Sequence, residues 1–319
     1  LLHGDLTDNQ MNELYNHGKV KAHISFTHGE GFGRPLLEAS ISQKPVITTS
    51  WSGPLDFLSD KLSVLLPADL TDVNFCKEVT RNIDYVFHIA GIKGSIEVTR
   101  SKPASFFVPL LMFNTNILEA ARLADVKKLV YTSSIGAYSS AEVFIETENR
   151  DGIPMDIYPG WAKRMAELQI KAYQEQYGLE WSIVRPCNVY GPGDNFDPSN
   201  AMVIPSLMMR IHRSEDPLLI WGDGSSTRDF AFSRDVAEGI ILALHHGTRG
   251  DFVNLGSGKG VTIKELVETL NSFLDFNYEF DTTKFPGFPK RVMDIGRARE
   301  WLKYNPSTSL LDGLKETWD

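Results

Sequence analysis

Few features of this 319-residue chain point to a membrane, a metal or a nucleic acid. Only two cysteines occur, Cys76 and Cys187, too few and too far apart for a disulfide framework or a metal-ligand spacing. Such sparse thiol use fits a reducing cytoplasm. His88, His245 and His246 have no partners at metal-binding spacings and read as structural. Lys and Arg total 32 against 41 Asp and Glu, a net charge of −9. That balance argues against non-specific binding to nucleic acid or anionic membranes, while leaving room for a local basic pocket that holds phosphate. No uninterrupted apolar run approaches the roughly 18–20 residues that a membrane span needs. The start at Leu1 lacks an initiator Met and a signal-peptide pattern, so the chain reads as a piece of something longer.

What is present is ordinary globular material, 42% hydrophobic and 23% charged, enough for a core in one large or two small domains. Candidate strands are Ala22–Phe26, Pro45–Thr49, Ser63–Leu66, Tyr85–Ala90, Lys128–Ser133, Trp181–Arg185 and Phe252–Leu255. Between them lie helical patterns at Asp8–Tyr15, Pro35–Ile41, Leu110–Ala124 and Trp161–Tyr177. Near-continuous apolar strands alternating with helices predict an α/β fold, a Rossmann-like doubly wound parallel sheet. After Arg185 the texture turns to Gly, Pro, Asn and Asp, with helices near Ile204–Ile211, Ser233–Leu244 and Ile263–Phe273 and a strand at Leu218–Trp221. Residues 188–232 and 257–319 read as a smaller, discontinuous substrate-binding lobe, and 67–187 with 233–256 as the Rossmann-like domain.

Several motifs follow in a narrowing order. Asp69-Leu70-Thr71-Asp72 follows a strand, where an acidic side chain can accept from an adenine amino group. The strand Val86-Phe87-His88-Ile89-Ala90-Gly91 ends in small residues that permit close backbone approach. Val130-Tyr131-Thr132-Ser133-Ser134 sets hydroxyls at the carboxyl edge, where open parallel sheets bind ligands. Lys163 opens a long helix, Arg185-Pro186-Cys187-Asn188 ends the next strand, and Gly222-Asp223-Gly224 precedes Arg228-Asp229.

From about residue 67 onward this pattern resembles the extended short-chain dehydrogenase/reductases that act on nucleotide sugars, the NAD-dependent epimerases and dehydratases. The resemblance implies NAD (NADP stays open), transient hydride transfer at a sugar carbon, a nucleotide-sugar substrate and a homodimer joined through the long helices. It assigns Ser134 to the reacting oxygen and Lys163 to lowering the pKa of a catalytic Tyr. Cofactor contacts fall on Asp69, Leu70, Ile89, Ala90, Gly91, Lys163 and Pro186; substrate contacts fall on Asn188, Arg228 and Arg291. The family places Tyr four residues before Lys, but position 159 is Pro159, and the nearest phenol is Tyr158. Pro159 suits a first helical position, so Tyr158 is expected just outside the helix and is the candidate base. The bland alternatives are a strand-end hydroxyl for Ser134, a solvated Lys163, a salt bridge of Arg228 with Asp229, and a turn-forming Asn188.

Residues 1–66 follow another pattern. Thr27-His28-Gly29-Glu30-Gly31-Phe32-Gly33-Arg34-Pro35-Leu36-Leu37-Glu38-Ala39, with His3-Gly4-Asp5-Leu6 and Lys44-Pro45-Val46-Ile47, resembles a fragment of a retaining glycosyltransferase's donor-binding domain. There Glu30 and Glu38 would face the donor sugar and the nucleotide ribose. The Gly-x-x-Gly-x-x-Gly turn of a dinucleotide fold is missing; in the fused chain Gly29, Gly31 and Gly33 would stand in for it near a pyrophosphate. Besides the epimerase or dehydratase, two readings remain open: a glycosyltransferase-derived fusion, and a non-catalytic protein that binds NAD or a nucleotide sugar.

Overall fold

The structure, a computed structural model, describes residues 23–25, 46–49, 64–66 and 69–319, apart from 93–95, 149, 198–199 and 285–286. The chain divides into two compact units, Leu1–Asp69 with Gly193–Asn195, and Leu70–Pro192 with Phe196–Asp319. In the first unit β1 (His23–Ser25), β2 (Val46–Thr49) and β3 (Val64–Leu66) pair in that order, all parallel. These strands fall inside the three β-branched runs expected there. The helices expected at 8–15 and 35–41, together with Gly29, Glu30, Gly31, Gly33 and Glu38, lie outside the described residues.

The second unit begins with α1 (Val73–Val79), β4 (Tyr85–His88), α2 (Ile96–Ser101), α3 (Pro103–Leu123) and β5 (Lys128–Thr132). It continues through β6 (Val143–Phe144), α4 (Ile157–Tyr177), β7 (Ser182–Pro186), β8 (Asn188–Tyr190), α5 (Val203–His212) and β9 (Leu218–Trp221). Next come β10 (Thr227–Arg228), β11 (Phe230–Phe232), α6 (Ser233–His246), β12 (Phe252–Leu255) and β13 (Val261–Thr262). The chain closes with α7 (Ile263–Leu274), β14 (Tyr278–Asp281), β15 (Lys290–Met293) and α8 (Leu310–Trp318).

Its main sheet has the order β12-β7-β5-β4 and is parallel throughout. Every residue of β7 and β12 is buried, as a strand covered on both faces requires. Ser182 and Arg185 are three apart on β7 and so point to opposite faces. Ser182 Oγ donates to Ala243 O of α6, while Arg185 pairs with Glu167 of α4. The two helices therefore cover opposite faces, and the sheet is doubly wound. A second core gathers Ile204, Leu207 and Met208 of α5, Leu218 and Ile220 of β9, Leu266 and Leu270 of α7, and Leu314 of α8. Small strand pairings join it to the site: β13-β10-β15-β6 form one sheet, and β8 pairs with β11.

Two helices start earlier than their apolar patterns suggested. α3 begins at Pro103 and runs through Pro109, although the sequence reading began it at Leu110, after that proline. Proline at the first turn is free of cost, but Pro109 removes an internal bond, so packing of Phe106, Leu110 and Phe113 must hold the first turns together. No apolar run of span length occurs in α3 either, because Asn114, Thr115 and Asn116 interrupt it. The helix is long and apolar enough to cross a membrane by length and composition, yet Ile117, Leu118 and Ala121 are buried in the sheet core.

Candidate functional site

β5 ends at Thr132, and Ser133 and Ser134 lead into one 3-10 turn, Ile135–Ala137. Ser134 Oγ accepts from Gly136 N at 3.1 Å, which fixes the hydroxyl at the carboxyl end of the sheet. Lys163 projects from α4 to the same place. Its Nζ donates to Thr132 O at 2.7 Å and lies 5.1 Å from the Tyr131 ring centroid. Gly91, just past β4, faces this ammonium too: a Cβ there would stand 3.9 Å from Lys163 Nζ. Ala90 is half-buried, Ile89 is exposed, and Pro186 is buried at the end of β7. Among the described residues, the buried Thr132 Oγ1 has no hydrogen-bond partner. Leu70 is half-buried and packs on the core, whereas Asp69 is exposed and belongs to the first unit.

Under the rim lies a buried chain of polar groups. His88 Nε2 donates to Asn114 Oδ1 at 2.7 Å, and Asn114 Nδ2 donates to Tyr131 Oη at 3.2 Å. Burial, helped by the Lys163 charge, pushes the His88 pKa down to about 3. Burial likewise raises the Tyr131 phenol well above its usual value. Neither ring carries charge at neutral pH, and the sequence reading of His88 as structural agrees with its place here. On the other side of β5, Ser133 Oγ donates to Glu167, which also accepts from Arg185 Nε at 2.8 Å and Nη2 at 2.6 Å.

The turn and α4 touch at two glycines. A Cβ on Gly160 would collide with Gly136 O and stand 2.6 Å from Pro154 Cβ. Only hydrogen at this position lets the helix press against the turn that holds Ser134. Arg164 reinforces the contact, its Nε donating to Ala137 O at 2.5 Å and its Nη1 to Gly152 O.

Tyr158 differs from its expected place. α4 starts at Ile157, so Tyr158 is inside the helix, not before it, and Pro159 is the third helical residue. The first turn needs no internal amide bond, so proline is tolerated two positions deeper than expected. Five helical steps separate Tyr158 from Lys163, about 140° around the axis. The Tyr158 ring is 45% exposed and packs on Phe107 at 5.9 Å.

Arg228 and Arg291 are brought side by side, as directly opposed residues of the parallel pair β10–β15. Arg228 Nη1 donates to Thr227 O at 2.8 Å and Phe288 O at 2.6 Å, and Arg291 stacks on the Phe288 ring at 3.7 Å. Gly287, with φ of 83°, passes so close that a Cβ would sit 3.0 Å from Arg228 Nη2. Burial and the Arg291 charge push the Arg228 pKa down to about 10, and burial lowers that of Arg291 against the pull of Asp156. Arg291 Nη2 is buried without a hydrogen-bond partner among the described residues. The alternative salt bridge of Arg228 with Asp229 does not form. The Asp229 carboxylate instead accepts from the backbone amides of Ser257, Gly258 and Met293. Asn188 is likewise no turn residue: it opens β8, and its Nδ2 donates to Asp229 O at 3.0 Å.

Sequence reasoning passed over Asp156, Arg164 and the Glu167–Arg185 pair. Helical spacing held the signal for Glu167, four residues after Lys163 and therefore on nearly the same face. Among the described residues no group of His, Cys, Asp and Glu is arranged to hold a metal.

A family model described as "NAD dependent epimerase/dehydratase family" matches residues 32–256. The match reaches back into the segment that resembles a glycosyltransferase. GDP-L-fucose synthase 1 of Arabidopsis thaliana is 32% identical over 247 residues, 74% of this chain and 76% of that protein. GDP-mannose 3,5-epimerase 1 of Oryza sativa subsp. japonica is 30% identical over 260 residues, 78% of this chain and 68% of that protein. The crystal structure of UDP-glucose 4-epimerase from Thermotoga maritima, with UDP-glucose, superposes with a TM-score of 0.76 at 26% identity, covering 93% of this chain and 97% of that one.

Proposed function

The chain belongs to the NAD dependent epimerase/dehydratase family, and we propose that it epimerises or dehydrates a nucleoside-diphosphate sugar. The observation that carries this reading is the Arg228–Arg291 pair: two adjacent desolvated guanidiniums, one with a buried donor left unpaired. Such a pair is costly unless an anion with several oxygens sits on it, and a diphosphate fits a planar fork. The names of its relatives and of the superposed structure, all acting on GDP- or UDP-linked sugars, support that class of substrate.

The rim residues suit a nicotinamide dinucleotide. Lys163 offers an ammonium, Thr132 an unpaired buried hydroxyl, and Gly91 with Ala90 a surface open to close approach. Bound there, the dinucleotide supplies a hydride acceptor and donor for a sugar carbon. Ser134 hydrogen-bonds the reacting oxygen, and the Lys163 charge favours the deprotonated form of a neighbouring acid. NAD is the form we propose, in keeping with the family's description.

Wild-type protein, denatured after purification, is expected to release the dinucleotide. Isothermal titration with GDP-mannose and with UDP-glucose should give measurable binding to one of them. Arg291→Ala should weaken that binding about 10- to 100-fold, the loss of about 1.5–3 kcal/mol for a hydrogen bond to a charged group. Equal affinity in the variant would remove the diphosphate from this pair.

We further propose a homodimer built on α3 and α4. Val108, Met112, Met165 and Leu168 are large apolar residues exposed on these two mutually packed helices. Sedimentation velocity is expected to give a dimer, and Met112→Glu with Leu168→Glu a monomer; a monomeric wild type sinks the idea.

A further inference from the structure

The family's phenol position, four residues before Lys163, holds Pro159, and Tyr158 points elsewhere, onto Phe107. Helical side chains lean toward the N-terminus, so a long ring rooted at 159 would end over the first turn of α4. Asp156 stands there, as the residue that precedes the helix, two turns before Lys163 and within about 20° of its face.

An Asp in this position ordinarily caps the helix amides. Asp156 caps none of them, and its carboxylate makes no hydrogen bond among the described residues. It lies instead over the turn that holds Ser134: a Cβ on Gly136 would stand 2.9 Å from Asp156 Cγ. Gly136 N is the group that holds Ser134 Oγ. Hydroxyl and carboxylate thus both border one glycine. Two charges act on the carboxylate from other elements, Arg291 of β15 and Arg100 of α2. Burial pushes the Asp156 pKa up, against the pull of both arginines.

We propose that Asp156 is the catalytic acid–base group of this chain, accepting the proton of the sugar hydroxyl that Ser134 binds. The inference rests on the nucleotide-sugar reading of the site. In the forward step the sugar O–H bond breaks and its proton moves to Asp156. The adjacent C–H electron pair leaves as hydride to an oxidised nicotinamide, and a C=O bond forms. The return step reverses each movement, so Asp156 gives the proton back. A carboxyl that makes no hydrogen bond among the described residues is free to take up the proton and to return it.

The test begins with the free protein. Carbon-13 labelling of aspartate carboxyls, with Asp156→Asn to assign the signal, should give a midpoint above the ordinary aspartate value of about 3.9. The signal should move when the sugar nucleotide binds. In turnover of whichever probe binds, GDP-mannose or UDP-glucose, Asp156→Asn should slow the reaction by about 100-fold or more. Its dinucleotide content and sugar-nucleotide affinity should stay as in the wild type, and Asp156→Glu should recover part of the rate. Asp156→Asn should also melt no lower than the wild type at pH 7. A raised folded pKa means that ionisation disfavours the fold above the unfolded pKa, a cost the amide avoids. A purely structural aspartate would show the opposite. Undiminished turnover in Asp156→Asn, loss confined to Tyr158→Phe, or a midpoint at or below 3.9 overturns the inference alone. A wild type that holds neither ligand removes the reading of the site, and this inference with it.

Discussion

Replacing Arg185 with leucine is expected to lower folding stability by about 3–5 kcal/mol, the usual cost of leaving one half of a buried ion pair behind. The side chains of Arg185 and Glu167 are only 2% and 10% exposed, so water cannot take the place of the missing partner. Glu167 would keep only the Ser133 hydroxyl. Burial works against the Arg185 charge, but the Glu167 carboxylate and its hydrogen bonds outweigh that and hold the guanidinium pKa above its usual value. The guanidinium also lies 3.6 Å from the Phe252 ring centroid and 4.3 Å from that of Tyr138, contacts a leucine would reproduce only in part. The double variant Arg185→Met, Glu167→Leu should regain most of the loss, because an apolar pair needs no compensation. Urea unfolding followed by tryptophan fluorescence measures both. If the single and double variants unfold at the same midpoint, the pair is not what holds α4 to β7.

The second large effect concerns acid. His88 in the unfolded chain takes up a proton near pH 6.5, whereas in the fold burial and Lys163 delay this to about pH 3. Below 6.5 the unfolded state therefore binds one more proton at this site, and stability falls as pH drops until the folded pKa is reached. The slope is about 1.4 kcal/mol per pH unit, or about 3 kcal/mol accumulated by pH 4. His88→Gln keeps a donor for Asn114 and removes the titration. Its stability should fall less steeply than that of the wild type between pH 6.5 and 4, with little difference in slope above pH 7. Circular dichroism across an acid titration reads this directly, and parallel curves for the two proteins would refute it.

Much of this architecture was legible in the sequence because buried parallel strands need apolar side chains on both faces. Phe252–Leu255 and Lys128–Thr132 announced themselves in this way. The proline-bearing helix starts misled. Pro109 and Pro159 read as boundaries, yet α3 runs through the first and α4 carries the second in its opening turn. Two-residue strands such as β10 and β13 have no periodicity to find, so nothing in the sequence said that Arg228 and Arg291 would be neighbours. Their chemistry was visible and their adjacency was not. Asp156 was hidden for a related reason: its role depends on two glycines, Gly136 and Gly160, that let a turn and a helix come together across more than twenty residues of chain.

The thiols carry one last consequence. Both cysteines of the chain are buried, Cys76 at 0% and Cys187 at 8% exposure, and burial raises the Cys187 pKa well above its usual value. A maleimide dye would find no reactive sulfur on the folded molecule. The native sequence is thus a blank background for site-specific fluorescent tagging: a single cysteine introduced at exposed position 158 would label alone, in the first turn of α4.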